Sequence, residues 1–64
     1  MDKLILDGKQ IENLNDAAKW LQEAWDCFEL SIYYDESKNC LVIEDHEHDE
    51  ITYVQSLAEF LLII

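Results

Sequence analysis

The stretch Glu44-Asp45-His46-Glu47-His48-Asp49-Glu50 is the one segment of this 64-residue chain dense in side chains that bind metals or move protons. In an extended backbone alternate residues share a side, so His46 and His48 would point the same way and, with a carboxylate, form a shell for Zn²⁺ or Ni²⁺. Nothing beyond the pair specifies such a site. A calcium loop counted from Asp45 needs glycine at its sixth position and a bidentate glutamate at its twelfth, where the chain has Glu50 and Ser56. The same residues read more simply as a solvated acidic turn leading into a helix, as runs of charge ordinarily are. That is the expectation, with no metal and no cofactor assigned. Among so many carboxylates the two imidazoles should favour their protonated forms and soften the local charge at mildly acidic pH.

Cys27 and Cys40 are the only thiols. Neither has a cationic neighbour in sequence to lower its pKa, and two cysteines are too few for the disulfide framework of a small secreted domain. Buried free thiols are the default in such apolar contexts, and a reducing cytosol is the simplest setting, so the expected location is cytoplasmic. Paired carboxylates acting as acid and base need a cleft with unequal environments, and a chain this short encloses little volume for one. No catalytic residue is assigned and an enzyme is not expected.

Charge is the strongest signal. Fifteen Asp and Glu stand against four cations, all lysine, for a net charge of −11. With no guanidinium available, direct binding to nucleic acid is disfavoured, as is an anionic membrane surface. Partners with basic surfaces are favoured, because a field of this sign steers positive patches toward itself.

The elements that must hold these groups follow from periodicity. Asp7-Gly8, between Leu4-Ile5-Leu6 and Lys9-Gln10-Ile11, is the preferred pair for a two-residue type I′ hairpin, in which Leu4 would face Ile11 and Lys3 would face Glu12. From Leu14 to Glu29 a half-circle of apolar residues including Trp20, Trp25, Cys27 and Phe28 predicts an amphipathic helix capped by Asn13 or Asn15. Leu30 to Tyr34 and Cys40 to Glu44 read as a second hairpin around Asp35-Glu36-Ser37-Lys38-Asn39. For the last segment, Ile51, Val54, Leu57, Ala58, Leu61 and Leu62 share a helical face, while only Ile51 to Val54 alternates as a strand would, so the helix is preferred, capped by Asp45 or Asp49. The order ββαββα implies one α+β domain spanning 1–64: two layers, with two helices on one face of a four-stranded antiparallel sheet. An open helix-hairpin-helix arrangement is the alternative.

Two functional readings result. Asp16, Glu23 and Asp26 form a track about 15 Å long on the polar side of the first helix. Further acids gather at Asp35 and Glu36 and at Glu44, Asp45, Glu47, Asp49 and Glu50. Carboxylates on a rigid frame can imitate phosphates, so the first reading is a non-enzymatic inhibitor that occupies a basic, nucleic-acid-binding surface of a partner protein. Small DNA mimics of that kind are often encoded by phages and mobile elements. The second is a structural or assembly module that homodimerises or docks onto another protein through apolar helix faces, its acids serving only for solubility. Its apolar surplus would be resolved by a homodimer burying Trp20, Cys27, Tyr53, Phe60 or Ile64; the plainer alternative is that small domains simply display apolar atoms.

Overall fold

The computed structural model describes residues 4–64. Strands β1 (Leu4–Leu6) and β2 (Lys9–Ile11) form the first hairpin. Its turn residues both take positive φ, 51° at Asp7 and 78° at Gly8, as a type I′ turn requires. Leu4 pairs with Ile11 as the sequence implies. The expected pairing of Lys3 with Glu12 lies outside the described residues.

Helix α1 (Leu14–Ala24) starts at Asn13, whose side chain accepts the Asp16 N–H at 2.9 Å. It ends five residues before the expected Glu29. The reason lies in where the next backbone groups go: Leu30 N–H donates to Cys27 O at 3.1 Å and His46 N–H donates to Glu29 O at 2.8 Å. Those carbonyls serve a turn and a neighbouring strand end, and residues 26–29 leave the helix. Cys27 and Phe28 are consequently exposed, not part of an apolar helix face; of the two thiols only Cys40 is buried.

Strands β3 (Leu30–Asp35), β4 (Cys40–Asp45) and β5 (Glu50–Val54) form an antiparallel meander in the order β3-β4-β5. Two expectations are corrected here. Residues 50–54, read as the start of a helix, are the third strand, and helix α2 (Leu57–Ile63) begins only after Ser56, whose Oγ accepts the Glu59 N–H at 3.2 Å. The single four-stranded sheet is also replaced by two separate sheets, of two and three strands. Ile11 is buried in the core, with Leu4 and Leu6 packed against it, and β2 contacts β1 and α1 instead of an edge of the larger sheet. The domain remains α+β, in the element order ββαβββα.

The register divides the larger sheet into two unlike faces. Ile32, Leu41, Ile43 and Val54 face inward, where they meet Ala17, Ala18 and Leu21 of α1 and Phe60 of α2 in one cluster. The alternate residues Tyr33, Val42 and Tyr53, adjacent across the three strands, lie outside that cluster on the opposite face. Helix α1 covers β3 and β4, whereas α2 touches β5 and α1. Among the described residues no helix is long and apolar enough to cross a membrane.

Candidate functional site

The two histidines do not converge. Residues 46–49 form a turn instead of the extended run that would align them. His46 Nε2 lies 2.7 Å from Ser31 Oγ across β3 and β4, while His48 Nδ1 folds back onto Asp45 Oδ2 at 2.9 Å. No group of three or more metal-ligand side chains occurs among the described residues.

On the outer sheet face, Tyr33 Oη donates to Glu44 Oε2 at 2.7 Å, and Glu44 Oε1 lies 3.9 Å from His46 Nε2. The Ser31 hydroxyl and the Glu44 carboxylate thus approach the same His46 ring nitrogen. A nucleophile with its base would have the carboxylate on the other nitrogen, fixing the tautomer. The hydrogen bond to Glu44 pushes the Tyr33 pKa up to about 12, keeping it a neutral donor throughout the physiological range.

The ten carboxylates expected to contact a partner separate into three groups. Asp16 and Glu23 already serve the fold: Asp16 Oδ2 accepts the Glu12 N–H at 3.2 Å, and Glu23 is ion-paired with Lys9. The α1 track is thereby reduced to Asp26, which lies just beyond the helix. Asp35 and Glu36 stand at the β3/β4 turn, where Lys38 lies over the Tyr53 ring, 5.2 Å from its centroid.

The remaining acids meet at the opposite end of the meander. Asp45 and Glu50 pair directly across β4 and β5, with Glu44 next along β4 on the outer face and Glu47 and Asp49 in the connecting turn. Loop 26–29 is fastened to the same end through His46 and the Leu30/Asp45 strand pair, and it adds Asp26 and Glu29. Sequence reasoning misses Glu29 as a site residue because periodicity places it in the helix. The available signal is loop length: four residues between Asp35 and Cys40 set Leu30 opposite Asp45. Cys27 Sγ donates to Glu29 Oε2 at 3.0 Å, and this bond is the first cause both of the lowered Glu29 pKa and of the raised Cys27 pKa. The three described lysines lie elsewhere: Lys9 on Glu23, Lys19 within α1, and Lys38 at the far turn.

Beside this acidic pole the inner face is incompletely covered. A cleft of about 320 Å³ opens between Trp25, Leu30 and Ile43 on one side and Thr52 and Ile63 on the other, with Asp45 and Glu50 at its rim. Of the residues expected at a dimer interface, Phe60 is fully buried within the monomer and Trp20 packs edge-on against it at 6.1 Å. Phe60 is thereby corrected to a core residue of the monomer, whereas Trp20 is partly buried at the margin of that core. Tyr53 and Ile64 remain exposed.

These features define a small α+β domain with a charged pole and an uncovered sheet face. Comparison of the chain with family models, curated proteins and solved structures finds no match.

Proposed function

We propose that the protein is a non-enzymatic binding module whose acidic pole engages a basic surface of a partner protein, standing in for phosphates where that surface normally holds nucleic acid. The observation that carries this reading is the direct pairing of Asp45 with Glu50, with Glu29, Glu44, Glu47 and Asp49 nearby, no described lysine among them, and His46 and His48 as the only basic side chains beside them. Like charges placed opposite each other on neighbouring strands cost roughly 0.2–1 kcal/mol. A solubility coat has no need of that arrangement, since carboxylates dispersed over the surface would serve without the repulsion. A cationic partner turns the same repulsion into attraction and gains rapid, salt-dependent encounter.

Two variants that remove equal charge from different places test the reading. In affinity capture from the native host, Glu47→Gln/Glu50→Gln should weaken retention of the partner by at least about tenfold. Glu12→Gln/Glu36→Gln should capture it as the wild type does. Retention should fall steeply with salt, and duplex DNA should displace the captured protein. Equal retention by both variants, or capture indifferent to salt, would sink the proposal.

A further inference from the structure

Eight large apolar side chains are exposed among the described residues, and five of them belong to the edge strand and the helix that follows it: Ile51 and Tyr53 on the outer face of β5, Leu61 and Leu62 of α2, and Ile64 at its C-cap. The clustering follows from the layering. β5 is an edge strand of its sheet, and α2, whose backbone approaches β5 and α1 while Phe60 reaches in to Ile32, Leu41 and Ile43, is the outer helix of its layer. Both layers therefore stop at the same place with apolar side chains showing. An edge strand also presents backbone N–H and C=O groups without partners. The strand contains neither proline nor lysine and runs through five residues in unbroken register with β4; its one charge is Glu50, at its start.

We infer that this edge is a self-association surface, on which a second copy of the chain pairs its own β5 antiparallel about a two-fold axis at Thr52. This register uses the full strand of both copies. Ile51 of one copy faces Tyr53 of the other, an aliphatic-aromatic pair of the kind that stabilises antiparallel ladders. Glu50 faces Val54, so no carboxylate opposes another. The antiparallel arrangement sends the two acidic poles to opposite ends of a continuous six-stranded sheet, the geometry that a chain of net charge −11 needs in order to pair with itself. The α2 helices then lie side by side across the axis, and Leu61 and Leu62 acquire neighbours. A standard interface buries about 800 Å² per partner, about a sixth of the 4594 Å² exposed here.

Sedimentation equilibrium provides the first test. The wild type should sediment at twice 7.6 kDa, and high salt should strengthen the dimer by screening the repulsion between copies. Leu62 is 85% exposed, so Leu62→Glu should leave the circular dichroism spectrum unchanged while returning the mass to that of a monomer. The second test reads the register. On a Cys27→Ser background, Thr52→Cys should give a disulfide-linked dimer on mild oxidation, whereas Ser37→Cys at the far turn should not. A wild type of monomer mass at millimolar concentration, a dimer undisturbed by Leu62→Glu, or preferential cross-linking at position 37 would each overturn the inference.

Discussion

The β3/β4 and β4/β5 turns are built alike and serve different ends. Each joins its strands with four residues, and each opens on an aspartate whose Oδ1 accepts the N–H two residues on: Ser37 to Asp35 and Glu47 to Asp45, both at 3.0 Å. Each closes on a residue in the left-handed region, Asn39 at φ 52° and Asp49 at φ 57°. They differ in the partner that the opening aspartate meets across the strands. Asp35 pairs with the buried Cys40, while Asp45 pairs with a second carboxylate, Glu50. The backbone solution is thus independent of the charge placed on it, and charge is the variable by which one turn closes a hairpin while the other forms a pole.

The strand common to both hairpins offers the strongest way to break the comparison. Leu41 is fully buried on the inner face, and Leu41→Ala should cost about 2–5 kcal/mol through lost burial and the cavity left behind. That is a large fraction of the stability of a domain this small. Urea denaturation followed by tryptophan fluorescence and by circular dichroism should show both probes shifting together. A variant in which one hairpin melts ahead of the other would mean that the hairpins are separate units.

That likeness also explains which parts of the fold are legible in the sequence. Asp35-Glu36-Ser37-Lys38-Asn39 stands between two alternating apolar runs and reads as a turn at once. Asp45-His46-Glu47-His48-Asp49 has the same aspartate at its start and the same left-handed end, yet it precedes residues whose apolar spacing also suits a helix. Periodicity alone cannot decide, because Ile51 and Val54 fit both patterns. The deciding signal is local: Ser56-Leu57-Ala58-Glu59 has the capping-box spacing, with Ser56 accepting the Glu59 N–H and Glu59 accepting the N–H of Gln55, one residue before the cap, both at 3.2 Å. A helix that starts there leaves 50–54 free to be a strand. The pole is half legible: its acids are visible as a run, but its recruitment of Asp26 and Glu29 depends on where α1 ends, which is set by backbone bonds to a strand distant in sequence.

The left-handed residues sharpen the comparison at smaller scale. Glycine adopts that conformation without the strain of a side chain, so Asn39→Gly and Asp49→Gly should each alter stability by no more than about 0.4–1 kcal/mol, in the stabilising direction where relief of strain exceeds the lost chain entropy. If backbone geometry alone governs the turns, the two shifts in Tm should match. An additional gain at Asp49→Gly, shrinking as salt is raised, would measure the repulsion stored at the pole.

The smallest effect is the most diagnostic, because only one turn contains an imidazole. In the β3/β4 turn the Ser37 hydroxyl holds the Asp35 pKa below its ordinary value, so that contribution is complete above the unfolded carboxylate range, about 3.9, and is lost only as pH falls through the folded value. In the β4/β5 turn the hydrogen bond from His48 lowers the Asp45 pKa, and Asp45 in turn raises that of His48. A raised histidine pKa contributes fully below the unfolded value, about 6.5, and that contribution disappears as pH rises through the folded value. The pair is therefore strongest between the two ranges and weakens on both sides, whereas the first turn weakens only in acid. Thermal melts of wild type and His48→Gln should differ most near pH 5 to 6 and converge toward pH 8, where a neutral ring retains the Nδ1 hydrogen bond but no longer the charge. The difference between wild type and Asp35→Asn should instead stay level across that interval. Parallel profiles for the two variants would show that the ion pair adds nothing to the turn and that both hairpins are held by backbone geometry alone.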